Sequence, residues 1–421
     1  MDPASGDAGR RTTAPARATI RWYQVAARAW LTAAVLTLLL PLDARRGIWL
    51  PLHLALAGAV SVAISGAMQN FALTLTAAPA PSGAVVAAQF ALVNLGAAAI
   101  AIGYPAGLDA LVAVGGVAFV ASAALLGSLV LRTRRIGLNR RHALPIAMYL
   151  AAVVAVLVGA SFGALIGSLA VSGSTWVALR GAHLTLNVLG WVSLTIAGTL
   201  VTLLPTVLRV RMPSWHGGAT GVALAAGVAA IATGLATSSR PVAAAGGVSF
   251  AAGALGLGWM VARVLRTPRR WPVPVAAKHL LSAIAWFVLG SLTLPVVLAG
   301  RAPFPGFREP YLAIFVLGWA VQTLLGAWQY LLPMARPGHP DVRRRQLAGI
   351  EIGGTLQVLA LNVGVGLLAL AGAGWVGGMA GAVGAGLALG GGGVALAKAW
   401  VFGPLGRAPV LGARELDVWG A

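Results

Sequence analysis

The segment HLTLNVLGWVSLTIAGTLVTLLP, from His183 to Pro205, contains 23 residues and no Asp, Glu, Lys or Arg. A helix that crosses a bilayer needs about 20 predominantly apolar residues. The rest of the chain continues this pattern, because 59% of its 421 residues are apolar and only 9% are charged. Soluble domains have about 25% charged residues. The composition therefore predicts an all-α integral membrane protein.

Twelve apolar stretches of this length follow one another, separated by short polar loops. We predict spans at residues 26–42, 48–75, 84–104, 110–131, 143–171, 183–208, 219–238, 243–265, 280–300, 311–332, 347–371 and 375–402. They form a twelve-helix membrane domain over residues 26–402. A disordered, basic N-terminal segment (residues 1–25) precedes this domain, and a short tail (residues 403–421) follows it.

The distribution of basic residues predicts the orientation. The net charge is +21, and only six of the 30 Lys and Arg residues fall on the predicted outer side: Arg45, Arg46, Arg180, Arg240, Arg301 and Arg308. This is the positive-inside pattern of membrane proteins, so the charge does not indicate nucleic-acid binding. We predict a multi-pass protein of the cell inner (cytoplasmic) membrane with both termini in the cytoplasm. We therefore predict that its main partner is the lipid bilayer.

A repeat relates spans two, six and ten. The sequence VLGW occurs at residues 188–191 and again at 316–319, an offset of 128, and Gly198 matches Gly326 at the same offset. Span two aligns with span six at an offset of 132, which matches Gly58 to Gly190. All three spans share Gly-x7-Gly and run in the same direction. We predict three four-helix repeats around a pseudo-threefold axis, with chance similarity of Leu/Gly/Ala-rich sequence as the alternative.

Two of the six histidines differ from the others in their predicted depth. His53 and His183 each lie near the start of a span that descends from the outer surface. Ionisable residues within spans usually face partners in the bundle interior. Two facing imidazoles could bind a haem iron or contribute to a copper site; the alternative is two unrelated interfacial histidines. His53 precedes Gly58 by five residues and His183 precedes Gly190 by seven, so regular helices would place them about 200° apart.

The other polar side chains have simpler interpretations. Asn187 lies one turn below His183 and could hold its imidazole by a hydrogen bond. We expect the remaining amides to form interhelical hydrogen bonds; they are Gln69, Asn70, Gln89, Asn94, Gln322, Gln329, Gln357 and Asn362. We expect Glu351 to pair with the arginines at residues 343–345. We interpret the other four histidines as loop or interface residues; they are His142, His216, His279 and His339.

Several classes of site are excluded by the residues that the chain contains. Cysteine is absent, so disulfides, thiolate metal sites and cysteine nucleophiles are excluded. The sequence also has no Gly-x4-Gly-Lys-Ser/Thr loop for phosphate and no HExxH metalloprotease motif.

The segment AHLTLNVLGWV from Ala182, followed by Gly198-Thr199-Leu200 and Leu204-Pro205-Thr206, resembles the signature AHxHLNLLGWV…GT…LPT. That signature is found in membrane proteins related to haem–copper oxidase subunit I, including the NnrS type. The stretch HLALAGA from His53 resembles the HLxLLGA start of their second span. Twelve helices in three arcs is also the architecture of subunit I.

A third stretch supports the same resemblance. Gln322, with Gly326 and the YLLP sequence at residues 330–333, resembles the Q..LG…YLLP segment of the family. The resemblance implies haem and copper near the outer side, on the helices equivalent to spans two, six and ten.

The chain departs from the family at several ligand positions. It has Thr185 where the signature has its second histidine, Asn70 where relatives have a histidine late in span two, and no histidine in span ten, which begins at Tyr311. An oxygen-reducing site needs about six histidines for two haems and a copper. We therefore do not expect oxygen reductase activity.

The resemblance thus implies a non-catalytic relative of subunit I that binds one haem b or one copper ion through His53 and His183, beside Asn187. Electron transfer, metal handling or a nitrosative-stress response would be its function, with a redox or copper protein as partner. A cofactor-free transporter or permease, whose amides line a path between repeats, is the alternative from the residues. A structural partner of a membrane complex is the third hypothesis.

Overall fold

The computed structural model describes residues 21–139, 142–212, 215–268, 272–300, 308–335 and 340–403. These residues form helices and no strand, and eleven of the helices are long and apolar enough to cross a membrane. The prediction of an all-α multi-pass membrane protein is confirmed.

The helices are named here in chain order. They are α1 (residues 21–36), α2 (Trp49–Thr76), α3 (Gly83–Ala106), α4 (Asp109–Ile136), α5 (Ala143–Gly167), α6 (Gly173–Val207), α7 (Gly217–Ala236), α8 (Arg240–Arg266), α9 (Val275–Leu298), α10 (Glu309–Met334), α11 (Pro340–Glu351), α12 (Gly354–Gly372) and α13 (Gly378–Val401). The eleven candidate spans are all of these except the short helices α1 and α11.

Several predicted boundaries differ from the structure. Residues 21–25, assigned above to the N-terminal segment, are already helical, whereas residues 1–20 and 404–421 lie outside the described residues. The sixth span begins ten residues earlier than predicted, at Gly173. The eleventh predicted span is divided between α11 and α12, because Gly353 adopts a φ of 63°. Glycine takes this left-handed conformation without a steric penalty, so the chain turns there.

The chain forms two compact units. The first contains Met1–Pro268 and Ile284–Phe307, and the second contains Arg269–Ala283 and Arg308–Ala421. Helices within each unit approach closely at glycines. In the first unit, a methyl group at Gly227 of α7 would lie 2.6 Å from the backbone nitrogen of Phe250 in α8. Small residues allow such contacts between helices in lipid.

The three helices of the sequence repeat share an unusual backbone. Each of α2, α6 and α10 contains a π-helical segment, at Leu54–Val60, Thr185–Val192 and Leu312–Val321. No other segment of the described residues is π-helical. These three helices are also the most buried spans. In the most apolar 18-residue stretch of each, 67, 83 and 72% of the residues are buried, against 28–44% in the other eight described spans. The sequence repeat thus has a counterpart in local structure, while the pseudo-threefold axis stays a prediction.

Two serines end the first two π segments in the same way. The hydroxyl of Ser61 donates to the carbonyl of Leu56, and that of Ser193 donates to the carbonyl of Val188, each over 2.8 Å and five residues. The indole nitrogen of Trp191 donates to the Ser61 hydroxyl at 2.9 Å. This contact joins α2 to α6 within the first unit, where their π segments end.

Candidate functional site

His53 is the last residue of α2 before its π segment. Its Nδ1 lies 2.9 Å from the backbone carbonyl of Trp49. The imidazole stacks on the Trp49 indole with ring centroids 3.8 Å apart, and this indole stacks in turn on Tyr104 at 4.2 Å. The backbone contact and the stacked rings together set the orientation of the imidazole.

His183 has a similar arrangement on α6, two residues before Thr185 begins the π segment. Its Nδ1 lies 2.8 Å from the backbone carbonyl of Gly159 on α5. The ring lies directly against Gly163, where a methyl group would be 2.5 Å from Cε1 of the imidazole. Only glycine at this position leaves room for the ring.

Both imidazoles therefore have the same hydrogen-bonding state. A backbone carbonyl can only accept, so Nδ1 of each ring donates a proton and Nε2 keeps its lone pair. Neither Nε2 atom has a hydrogen-bond partner among the described residues. Both side chains are half-buried. This is the form in which histidine binds a metal through Nε2.

Asn187 lies beside His183, as its position one turn below suggested. Its Nδ2 is 2.8 Å from the backbone carbonyl of His183 and 3.2 Å from Nδ1 of the ring. A methyl group at Gly159 would lie 2.7 Å from the same amide nitrogen. Asn187 and Gly159 thus enclose the Nδ1 edge of the imidazole.

The two histidines belong to the same compact unit. The interval from each histidine to its glycine lies almost entirely in a π-helical segment, and not in the regular α-helix for which the angle of about 200° was predicted. No group of three or more His, Asp or Glu side chains that could hold a metal occurs among the described residues.

The predicted partners of Glu351 were wrong. Its carboxylate accepts from the backbone nitrogen of Val275 at 3.0 and 3.2 Å, at the N-terminus of α9. Lys278 and Lys398 are the cations that act on it, whereas the arginines at residues 343–345 are exposed. Burial nevertheless raises the pKa of the Glu351 carboxyl. A carboxylate at a helix N-terminus stabilises the helix, so Glu351 attaches α11 to α9.

The prediction of interhelical hydrogen bonds is confirmed for Gln69, Gln89 and Asn94 of the first unit. Nε2 of Gln69 is 3.1 Å from the Tyr23 hydroxyl and 3.3 Å from Oε1 of Gln89. Nε2 of Gln89 donates to the hydroxyls of Ser65 and Ser122 at 3.3 and 3.0 Å. This buried network joins α1, α2, α3 and α4. Its amides are hydrogen-bonded to other groups of the protein, so they require no ligand.

The second unit contradicts two of the sequence interpretations. His279 was assigned to an interface but is fully buried in α9. Both polar atoms of Gln322 and of Gln329 are buried without a hydrogen-bond partner in the described part of the chain. Sequence reasoning missed His279 because it stands next to Lys278, close to the predicted span end at residue 280.

A repeat signal could have found His279. The first helix of each predicted four-helix repeat is α1, α5 or α9. Each of them has one ring side chain that contacts the second glycine of the Gly-x7-Gly motif in the following repeat helix, α2, α6 or α10. The pairs are Tyr23 with Gly66, Tyr149 with Gly198 and His279 with Gly326. The three rings are spaced by 126 and 130 residues, close to the repeat offsets of 132 and 128.

Comparison with known proteins adds no assignment to this geometry. No known protein family and no curated protein sequence matches the chain.

Proposed function

We propose that this protein is a non-catalytic membrane relative of haem–copper oxidase subunit I that binds one haem b or one copper ion between His53 and His183. The observation in its support is that both imidazoles tie Nδ1 to a backbone carbonyl and leave Nε2 without a partner. Metal-bound histidines almost always donate their other ring N–H to such an acceptor.

The donor set fits haem better than copper. The two neutral imidazoles of His53 and His183 would suffice to hold a haem. A copper ion would need a further side-chain ligand, and the described residues offer no third His, Asp or Glu in a metal-binding group. Arg180 precedes His183 by three residues on α6, and its positive charge favours an anionic group, such as a haem propionate, over a bare cation.

The residues of the chain would bind and orient the group. His53 is oriented by the stack on Trp49, and His183 by Gly163 and the backbone carbonyl of Gly159. A haem supplies one-electron chemistry when it is bound. His53 and His183 would hold the haem and place this one-electron chemistry in the first unit, so electron transfer is the function that we propose.

The visible spectrum of the purified protein tests this proposal. We expect a strong Soret band after expression with added haem precursor, and its loss in His53→Ala and His183→Ala. His216→Ala is the control, because His216 is exposed and its loss should leave the band unchanged. Metal analysis distinguishes copper from haem. Protein with neither a Soret band nor about one copper per chain, or a band that both variants retain, would contradict the proposal.

A cofactor-free transporter is the second candidate function. The unpartnered amides of Gln322 and Gln329 favour it, because polar groups buried in a bilayer usually mark a substrate path. Solute uptake into vesicles, compared with protein-free vesicles, tests this candidate without reference to the metal.

A further inference from the structure

The second unit contains a cluster of buried, uncharged polar side chains, which we call the amide cluster. It consists of His279 on α9, Gln322 and Gln329 on α10, and Gln357 on α12. All four side chains are at most 3% exposed. None of them is close to His53 or His183 in sequence, and the metal site proposed above does not use them.

Helix packing brings these side chains together. A methyl group at Gly326 would lie 2.8 Å from Cβ of His279, so α10 contacts α9 at this point. Gln322 and Gln329 lie one turn to either side of Gly326, within about 20° of each other around the helix. Nε2 of His279 is 3.2 Å from Nε2 of Gln357.

Six polar atoms of the cluster have no hydrogen-bond partner within the described ranges: Nδ1 of His279, both amide atoms of Gln322 and of Gln329, and Oε1 of Gln357. Buried polar groups are almost always hydrogen-bonded. The corresponding network of the first unit obeys this rule, even though Gln69 occupies the repeat position of Gln329. The amide cluster therefore has unpaired donors and acceptors that a ligand could satisfy, which the Gln69 network does not.

We propose that the amide cluster binds a small, uncharged polar solute that carries both hydrogen-bond donors and acceptors, such as an amide. Each glutamine amide offers one acceptor and two donor hydrogens, so the cluster matches a ligand with both. No member of the cluster is charged when His279 is neutral, and an uncompensated ion buried there would be costly. The nearby charge of Lys398 is directed at the carbonyls of Ile350 and Ile352.

The cluster extends from one membrane surface towards the middle of the bilayer. His279 lies four residues after the start of α9, which is about 6 Å along the helix axis. Gln329 and Gln322 lie five and twelve residues before Met334, at about 8 and 18 Å. The surface concerned is the one that contains Glu351 and Lys278, which the charge distribution predicts to be cytoplasmic. A solute arriving from that side would meet polar groups in succession.

Saturation-transfer NMR on the full-length protein in lipid nanodiscs tests this proposal. Acetamide is the probe, because its methyl protons report weak binding directly. Acetate is the charged counterpart of nearly the same shape. We expect a saturable signal for acetamide, and none for acetate above that of empty nanodiscs.

Variants assign the signal to the cluster. In the double variant Gln322→Leu/Gln329→Leu we expect the affinity for acetamide to decrease at least fivefold, roughly the effect of one lost hydrogen bond. Asn362→Leu is the matched control, because Asn362 is an amide of α12 that donates to the carbonyl of Val358 in its own helix. Its acetamide signal should match that of the original protein.

Three results would overturn the proposal: no saturable signal for acetamide, an equal signal in the double variant, or equal signals for acetamide and acetate. In the first case ordered water alone would occupy the cluster. Each variant must first show the helical circular dichroism of the original protein. Asn362→Leu shows whether replacing an amide side chain by leucine is by itself enough to disturb the second unit. None of these outcomes depends on haem or copper at the histidine pair.

Discussion

The predicted repeat makes the positions of Gln69 and Gln329 equivalent, and we predict that replacement by leucine destabilises the protein at Gln69 but not at Gln329. Nε2 of Gln69 lies within 3.3 Å of the Tyr23 hydroxyl, the Ser65 carbonyl and Oε1 of Gln89. Gln329 has no hydrogen-bond partner among the described residues. Both side chains are buried, and leucine is of similar size, so the loss of packing should be small and similar at the two positions.

The magnitudes follow from the hydrogen bonds lost. Interhelical hydrogen bonds in membranes contribute about 0.6 kcal/mol each, with a maximum of about 1.7. Gln69→Leu removes its contacts with two other helices and one within its own helix, and should lower the free energy of unfolding by about 1–2 kcal/mol. Gln329→Leu removes none and relieves a buried, unpaired amide, which costs about 1–3 kcal/mol. We therefore expect it to leave stability unchanged or to raise it.

Reversible unfolding by SDS in mixed micelles, without added solute, measures both variants. Ser128→Ala is the control for an exposed hydroxyl, and should change the free energy of unfolding by no more than about 0.5 kcal/mol. If Gln329→Leu destabilised the protein as much as Gln69→Leu, Gln329 would have partners within the folded chain. The amide cluster would then have no unpaired groups at Gln329 to offer a ligand.

Three further predictions concern other parts of the molecule. Gly163→Ala should displace the ring of His183, which lies 2.5 Å from the added methyl group, and should lower the haem content. Gly393→Ala is the control, because the added methyl group has nothing within 4 Å. The amount of haem per chain in purified protein measures both variants. Because burial raises the pKa of Glu351 above its ordinary 4.5, the folded state binds the proton more tightly than the unfolded state. The stability that this group contributes is therefore present below pH 4.5 and is lost as the pH rises through the raised pKa. The free energy of unfolding, measured from pH 4 to 8 relative to Glu351→Gln, should show this decrease, and an increase with pH would refute it. Ser61→Ala removes the acceptor of Trp191 and a donor to a π-segment carbonyl, and should cost about 1–3 kcal/mol in the same SDS assay; no measurable cost would contradict the role of this contact.

The sequence alone was sufficient for the class of fold. Apolar stretches near 20 residues, at most 9% charge and loops rich in arginine leave few alternatives to a helical membrane protein. The equivalence of spans two, six and ten was also visible in Gly58, Gly190 and Gly318, because close helix packing requires small residues at fixed spacing. Their π-helical segments confirm that these three spans differ from the rest.

Sequence reasoning was weaker where a result depends on hydrogen bonds between distant residues. An isolated amide such as Gln69 or Gln329 has the same sequence signature whether or not another helix supplies its partner. Glu351 was predicted to pair with the nearest arginines in sequence, but its carboxylate instead contacts Val275, 76 residues away. Such partners are set by packing, and no local pattern reports them.

The amino-acid order by itself determined that the chain crosses a membrane many times, that His53 and His183 stand at corresponding ends of two similar helices, and that few other metal ligands exist. Only the tertiary structure decided that both imidazoles direct Nδ1 at a backbone carbonyl, and that His279 is buried against Gly326. The physical reason is that hydrophobicity is a property of each residue, whereas a hydrogen bond or a close contact is a property of two residues that folding brings together.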